Sequence, residues 1–462
     1  MRAARFRLRV RWCGLCLPCL LLTARSVGAV AADGYYDPAF GVAGANVFDV
    51  APGTHHSFAT RVHPLPDGTL LLGGTCRYTV DQYTYCLAWI EADGKDLNHN
   101  YGVGGAGRIV LSALAGFPNA SLLMYDMAAT ADGRIVLVGS TVANDSCVIA
   151  IVRKDGSDLD RSTGGGKGWA SFTFSATFGT AYAVAVQPDG KMVVAGAGYS
   201  LNNNNFDMVA ARWLPDLSGL DPGFNGGGGQ TVAFELGGAS DDYAYALALQ
   251  ADGRIVLAGT AAPKGGSDQE AAFARLLASG LPDNSINSPG AGFGPLHDGR
   301  AHYDFGEALA RAVLIEPSGS ILFGGQAGGQ ALLGRLAADG SALSNGFNLG
   351  NAQIFDLSAP GPSYLSTLAR QPDTRILAAG YARNAWGAVR LIADGTFDAD
   401  FGVAGLSIGA FNAQEVSAND IGVAVGSGGI IIAGASKDAV TFDENFGVAK
   451  LQLDEIFPGN FE

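Results

Sequence analysis

The chain has 462 residues, of which 67 are Gly and 16% are charged, and its formal net charge is −14. The glycines follow no Gly-X-Y period, which excludes a collagen-like rod, and long helical periodicities are scarce, so the class is all-β. The acidic balance argues against nucleic acid or an anionic membrane surface as partner, since both repel a negative protein.

The first 32 residues differ from the rest. Arg2, Arg5, Arg7, Arg9 and Arg11 form a basic start, Cys13–Thr23 an apolar core and Val27–Ala32 a run of small residues. This is the pattern of a secretory signal peptide, with an apolar run too short to span a bilayer. Cleavage near Asp33 is predicted, giving a secreted, periplasmic or cell-surface protein with no membrane span. Removal of six Arg takes the formal charge from −14 to −20. Cys13, Cys16 and Cys19 have redox-like spacing but fall in the removed part.

Asp33–Val50 carries loop residues with no strand pair before them. His55, His56 and His63 follow, without a further ligand at a metal-site spacing. Cys76 and Cys86 flank a hairpin tip at Asp81-Gln82. In an oxidising compartment these two are predicted to bond, which leaves Cys147 as a buried, inert thiol. Gly164–Gly168 has the look of a phosphate loop, but Gly168 stands where Ser or Thr is needed and no helix pattern follows. Asn202–Asn205 reads as a loop between strands.

The clearest local pattern is Ala244–Thr260. Tyr245, Leu247 and Leu249 alternate with Ala, which is strand spacing. Asp252-Gly253 is predicted to form a two-residue hairpin turn, with Gly supplying positive φ. Ile255–Leu257 then reads as a strand covered on both faces, ended by Gly259. The unit recurs with turn positions at 67, 132, 189, 252, 318, 373 and 427, a mean period of 60. Thr374 replaces the turn Gly in the sixth copy, and a different turn is expected there because a β-branched residue resists positive φ. Each unit has a second half with an alternating strand. Arg212, Arg275, Arg335, Arg390 and Lys450 lie in these strands, four residues before a turn-forming Asp or Ser. Asp37, Asp221 and Asp398 each precede a Phe by three residues. Their recurrence marks them as structural, turn-capping residues that pair with the repeated Arg. With four strands per unit, the array is predicted to be a seven-bladed β-propeller over 33–454. Asp33–Gly44 matches Asp394–Gly405 at eight of twelve positions. The N-terminal segment is therefore expected to complete the last blade, which the C-terminal strand leaves open. The tail, 455–462, belongs to no repeat.

Gln187-Pro188-Asp189-Gly190-Lys191 with Ala195-Gly196, and Asp398-Ala399-Asp400-Phe401-Gly402, resemble the delta-60 repeat family of bacterial secreted β-propellers. The resemblance covers nearly all of the chain after residue 33. It implies a propeller fold and no shared catalytic residues.

No Gly-x-Ser-x-Gly, His-Glu-x-x-His or EF-hand loop occurs. His297 and His302 flank an inserted loop without a metal-ligand pattern. Asp241, Asp242, Asp438, Asp443 and Glu444 offer oxygen-rich loops, a weak signal for calcium, and no other cofactor is expected. The favoured reading is a monomeric, non-enzymatic secreted module that binds a glycan, a protein or a cell-surface partner. Its binding face is expected at the end where the inserts Ala261–Glu270, Pro282–Asp304 and Asn202–Asp207 gather, with Tyr199, Phe206 and Tyr303 able to stack on sugars. The alternative is a propeller hydrolase or lyase with carboxylates in the central channel.

Overall fold

The computed structural model describes residues 33–453, apart from 54–55, 80, 113, 115–120, 144, 175–177, 202–203, 235, 237–240, 264–267, 289, 359–360, 412–414, 417–421, 427–428, 439–440 and 442. The side chains of 415–416 and 422–426 are also outside it. The leader, the tail, His55 and the Ser427-Gly428 turn therefore lie outside the described residues.

The alternating and continuous apolar runs form strands that meander outward from an axis in seven antiparallel sheets. Blade one is Ser57–Pro64, Leu70–Thr79, Gln82–Ile90 and Arg108–Val110, named from the axis outward. Blade two is Leu122–Ala129, Ile135–Thr141, Cys147–Val152 and Trp169–Phe172, and blade three is Gly179–Val186, Met192–Ser200, Asn205–Trp213 and Gly229–Val232. Blade four is Tyr243–Leu249, Ile255–Ala261, Glu270–Leu276 and Arg300–Tyr303, and blade five is Ala308–Ile315, Ile321–Ala327, Gln330–Leu336 and Gln353–Phe355. Blade six is Ser363–Arg370, Ile376–Ala382, Trp386–Leu391 and Leu406–Gly409. The first strands of successive blades touch all the way round, so they line the axis. The fold is the seven-bladed, all-β propeller read from the sequence.

Blade seven is built from both ends of the described chain. Gly422–Gly426, Gly429–Lys437 and Glu444–Gln452 are followed outward by Ala45–Phe48, with Ala45 opposite Ala449 and Phe48 opposite Phe446. Pairing of the first segment with the last strand leaves no open edge between the two ends.

Buried apolar side chains collect in seven clusters, one at each blade-to-blade interface. A backbone hydrogen bond crosses every junction at the end carrying the loops between third and outermost strands. The donors are the N–H groups of Gly102, Gly164, Asn225, Gly294, Asn348, Gly402 and Gly41. Their acceptors are the carbonyls of Asp155, Asp216, Ser279, Asp339, Asp394, Asp33 and Asp93, at 2.7–2.9 Å.

Three local expectations need correction. The turn at Asp252 is not a two-residue hairpin. Gly253 N–H donates to Gln250 O at 2.9 Å, Gln250 N–H donates to Arg254 O at 2.8 Å, and Gly253 takes φ +84°. This is a three-residue loop, a type I turn closed by one left-handed Gly. Thr374 does not change the turn either. It takes φ +75°, and its N–H donates to Gln371 O at 3.0 Å as the equivalent Gly does. The surrounding hairpin imposes the conformation on the β-branched residue, at a cost of about 1–2 kcal/mol.

Finally, Gly259 does not end its strand, which continues to Ala261. A Cβ on Gly259 would stand 1.7 Å from Tyr243 O. A Cβ on Gly74, Gly139, Gly196, Gly325 or Gly380 would likewise stand 1.8–2.0 Å from the matching carbonyl, Phe58 O, Leu123 O, Thr180 O, Leu309 O or Tyr364 O. The repeated Gly is thus required by a backbone that leans on it from the innermost strand. Gly259→Ala is expected to destabilise the protein by roughly 2–4 kcal/mol, because a backbone carbonyl has nowhere to move. Gly227→Ala, where an added Cβ meets nothing within 4 Å, should stay within about 0.5 kcal/mol of the parent. Equal chemical-denaturation midpoints for the two variants would contradict this account.

Deletion of 33–50 removes the outermost strand of blade seven together with buried Phe40, Phe48 and Val50. Each such side chain contributes roughly 1.5–3 kcal/mol, so the truncated chain should melt far lower or aggregate on heating. Superimposable melting curves would show that closure adds little.

Candidate functional site

The glycine contact has a consequence on the axis. Opposite it, the innermost strand gains one residue and the register shifts, between Ala59 and Arg61, Met124 and Asp126, Ala181 and Ala183, Ala244 and Ala246, Ala310 and Ala312, and Leu365 and Thr367. The extra residues are Thr60, Tyr125, Tyr182, Tyr245, Arg311 and Ser366. A bulge re-aims its extra side chain, and here the bulges of successive blades meet. Tyr125 and Tyr182 have ring centroids 5.1 Å apart in an edge-on contact, as do Tyr182 and Tyr245. The Arg311 guanidinium lies 5.6 Å from the Tyr245 ring centroid and 4.8 Å from that of Tyr364. Three tyrosines and one arginine, from blades two to five, therefore form a contiguous arc on the axis.

The arc continues to the surface. Tyr243 stacks on Tyr245 at 5.8 Å and on Phe206 at 5.6 Å. Phe206 meets Tyr199 at 5.2 Å, and Tyr199 meets Phe178 at 6.0 Å. Phe178 is 43% exposed, so the line of seven rings runs from the half-buried axis to open solvent. Its outer members sit at the starts of first and third strands and the end of a second strand, which places them at one end of the ring. Asp241 braces the line, accepting the Phe206 N–H at 2.9 Å and the Tyr243 hydroxyl at 3.2 Å. Burial, reinforced by the Asp241 charge, raises the Tyr243 hydroxyl pKa, and burial pushes Tyr245 up to about 12. Both hydroxyls are therefore neutral donors at neutral pH.

The carboxylate next to the arc is Asp126. It accepts Arg61 Nε at 2.7 Å with one oxygen and the Val184 N–H at 2.8 Å with the other. Asp241 spends both oxygens, on the Phe206 N–H and the Tyr243 hydroxyl, and Asp242 spends one on the Phe234 N–H, and among the described residues no three metal-ligating side chains converge.

The repeated charged residues lie elsewhere, at the end that carries the junction bonds. Arg212 pairs with Asp221 at 2.8 Å, Arg390 with Asp398 at 2.8 Å and Lys450 with Asp37 at 3.1 Å. Arg275 pairs with Asp283 at 2.6 Å, whereas Arg335 takes Glu316 at 2.8 Å. Each Arg also lies over a Phe of its own blade, Phe224, Phe293, Phe347 or Phe401, at 4.6–5.1 Å. These Phe rings pack under Gly280, Gly340, Gly395 and Gly34 of the next blade. Such residues hold neighbouring blades together and face no opening.

Other sequence candidates separate in the same way. Cys76 and Cys86 are bonded across the hairpin of blade one, with Cα atoms 5.8 Å apart. Cys147 is buried, and burial pushes its thiol up to about 12. The Gly164–Gly168 loop is a blade junction, with Lys167 set over Trp169. His302 pairs with Glu270 in a side groove lined by Phe234, Leu236 and Arg300. The inserts do not gather at one end. Ala261–Glu270 and Asn202–Asp207 join second to third strands beside the aromatic line, while Pro282–Asp304 joins third to outermost strands at the opposite end. Tyr199 and Phe206 belong to the line. Tyr303 packs on Phe273 and Phe305 and donates to Gly340 O at 2.9 Å.

The sequence reading missed Tyr125, Tyr182 and Arg311, and took Tyr245 as plain strand packing. A signal was present. Thr60, Tyr125, Tyr182, Tyr245, Arg311 and Ser366 each stand seven residues before the turn Asp or Ser of their repeat. The seventh copy has Asp420 at that offset, outside the described residues.

Comparison with known proteins agrees with the fold. A family model described as a domain of unknown function (DUF5122) beta-propeller matches residues 187–224, 250–285 and 371–401. These stretches belong to blades three, four and six, and the match is to a propeller, as the fold is. No curated protein matches the sequence. Among solved structures it is similar to polysaccharide lyase Uly1, at 12% identity and a TM-score of 0.47, over 92% of this chain and 98% of that one. It is also similar to YCF48 from Cyanidioschyzon merolae, at 12% identity and a TM-score of 0.46, over 88% and 99%. A third similar structure is Trypanosoma rangeli sialidase, at 11% identity and a TM-score of 0.38, over 88% and 57%.

Asp242, beside the line, is 2% exposed, and burial, reinforced by the Asp207 and Asp241 charges, pushes its pKa up to about 7. In the unfolded chain it titrates near about 4. The folded state thus binds the extra proton between these values. The stability from this group is fully present below about pH 4 and is lost as pH rises through about 7. Melting temperatures measured from pH 5 to pH 8 should therefore fall less steeply for Asp242→Asn than for the parent. Parallel profiles would rule out a buried, protonated Asp242.

Proposed function

We propose that the protein is a secreted or periplasmic, non-enzymatic propeller of the delta-60 kind that binds a glycan chain along the aromatic line. The observation that carries this reading is the unbroken contact from Tyr125 through Tyr182, Tyr245, Tyr243, Phe206 and Tyr199 to Phe178. Aromatic faces carry negative charge at their centres, and the C–H faces of sugar rings present the complementary positive edge. A line of such faces suits an extended, repeating ligand better than a compact one. The neutral hydroxyl of Tyr245 adds a donor for a sugar oxygen. The formal charge of −14 disfavours a nucleic acid in the same place.

Hydrolase or lyase chemistry asks for an acid and a base facing one bond. Asp126, the carboxylate beside the arc, already spends one oxygen on Arg61 and the other on the Val184 N–H. Among the described residues, binding therefore fits the site better than turnover. The chain is expected to act as a monomer.

The test is binding of the purified protein to immobilised and soluble polysaccharides, with Tyr182→Ala and Tyr245→Ala as variants. Each is expected to lower affinity by roughly tenfold or more, as loss of a central aromatic anchor does. Unchanged affinity in both variants, or product release from the polysaccharide, would overturn the reading.

A further inference from the structure

Arg311 stands apart from the other arginines near it. The blade-latching arginines and Arg61 each hold a carboxylate. Arg311 makes no hydrogen bond and no ion pair among the described residues, and its Nε is buried without an acceptor. Its contacts are the ring faces of Tyr245 and Tyr364. Two π faces offset part of the cost of removing the charge from water. They leave the guanidinium donors, which lie in its plane, without a protein acceptor among the described residues, and Nε is shut off from solvent as well. A charged donor held in this way is costly unless an acceptor completes it.

Resting on the glycan reading above, we infer that Arg311 is the anion subsite of the aromatic line, and that its ligand is an acidic glycan carrying isolated carboxylate groups. A sugar stacked in the arc of Tyr182 and Tyr245 brings its substituents beside Arg311, because Tyr245 touches both. The planar N–H fork of an arginine matches a carboxylate two bonds at a time. The charge of the whole protein sets the second limit. A body of net charge −14 repels a densely charged polymer, while one local cation favours a single anionic group on an otherwise neutral chain. A uronate residue spaced among neutral sugars satisfies both conditions.

The experiment compares a xylo-oligosaccharide bearing one glucuronate branch with the same oligosaccharide after reduction of its carboxyl group to an alcohol. Polygalacturonate and a sulfated oligosaccharide are further arms. The parent protein is expected to bind the acidic oligosaccharide at least about tenfold more tightly than its reduced form, a charge-assisted bond being strong enough for that ratio. In Arg311→Gln the ratio should fall to about one, with Arg311→Lys between the two, and melting curves report that both variants fold. A ratio near one in the parent, or a ratio retained in Arg311→Gln, overturns the anion subsite while leaving the aromatic line intact. Preference for the sulfated or the fully charged arm overturns the isolated carboxylate. Absence of binding to every arm, with no effect of Tyr182→Ala, overturns both this inference and the glycan reading.

Discussion

The close approach between a second-strand glycine and a first-strand carbonyl governs this molecule. At Gly259 the carbonyl of Tyr243 lies where a Cβ would be, and five other described blades repeat the contact. Because the backbones touch there, the first strand takes in an extra residue beside the contact. That residue is turned out of the alternating pattern and toward the axis. One steric constraint, repeated round the ring, thus packs the blade and creates the positions from which a site is made. The scaffold fixes where those side chains stand and leaves their identity free. Thr60, Tyr125, Tyr182, Tyr245, Arg311 and Ser366 occupy equivalent places and differ in chemistry.

The two ends of the ring divide the remaining work. At one end a backbone bond links every blade to the next, and from blade three to blade six an arginine, its carboxylate and a Phe ring packed under a glycine of the following blade add a lock. Arg390 shows how the lock serves closure. Its guanidinium holds Asp398 in its own blade and reaches Asp33, at the start of the described chain. At the other end the hairpins vary. There the chain places the disulfide and the rings that lead out to Phe178. Junction bonds that recur at every blade hold the ring while loops at either end differ between blades.

Much of the fold was legible in the sequence because it depends on repetition. The Asp-Gly turns, the apolar runs and the match between Asp33–Gly44 and Asp394–Gly405 all repeat at fixed offsets, and repetition separates signal from local noise. The errors were local. The Asp252 turn holds three residues, since a type I turn followed by a single left-handed Gly is enough to reverse the chain. Thr374 keeps the shared turn, since the two flanking strands fix the geometry more strongly than one side chain resists it. Gly259 was read as a stop, although a Gly within an apolar strand also marks a point where another backbone comes close. That second meaning held the key to the site.

The site was less legible for a related reason. A search for motifs favours residues that recur, and recurrence here identifies the latches. Functional positions in a repeat array show the opposite behaviour: the offset recurs while the residue does not. Arg311 is the clearest case. Its repeat carries Arg where the three repeats before it carry Tyr and the one after it carries Ser. The useful comparison is therefore between repeats at one offset, asking which residue departs from its equivalents and whether burial and missing partners make the departure costly. Tyr182 and Tyr245 pass the first part of that question by their bulk beside Thr60 and Ser366. Arg311 passes both, because its charge lies against two rings and its N–H donors find no acceptor among the described residues.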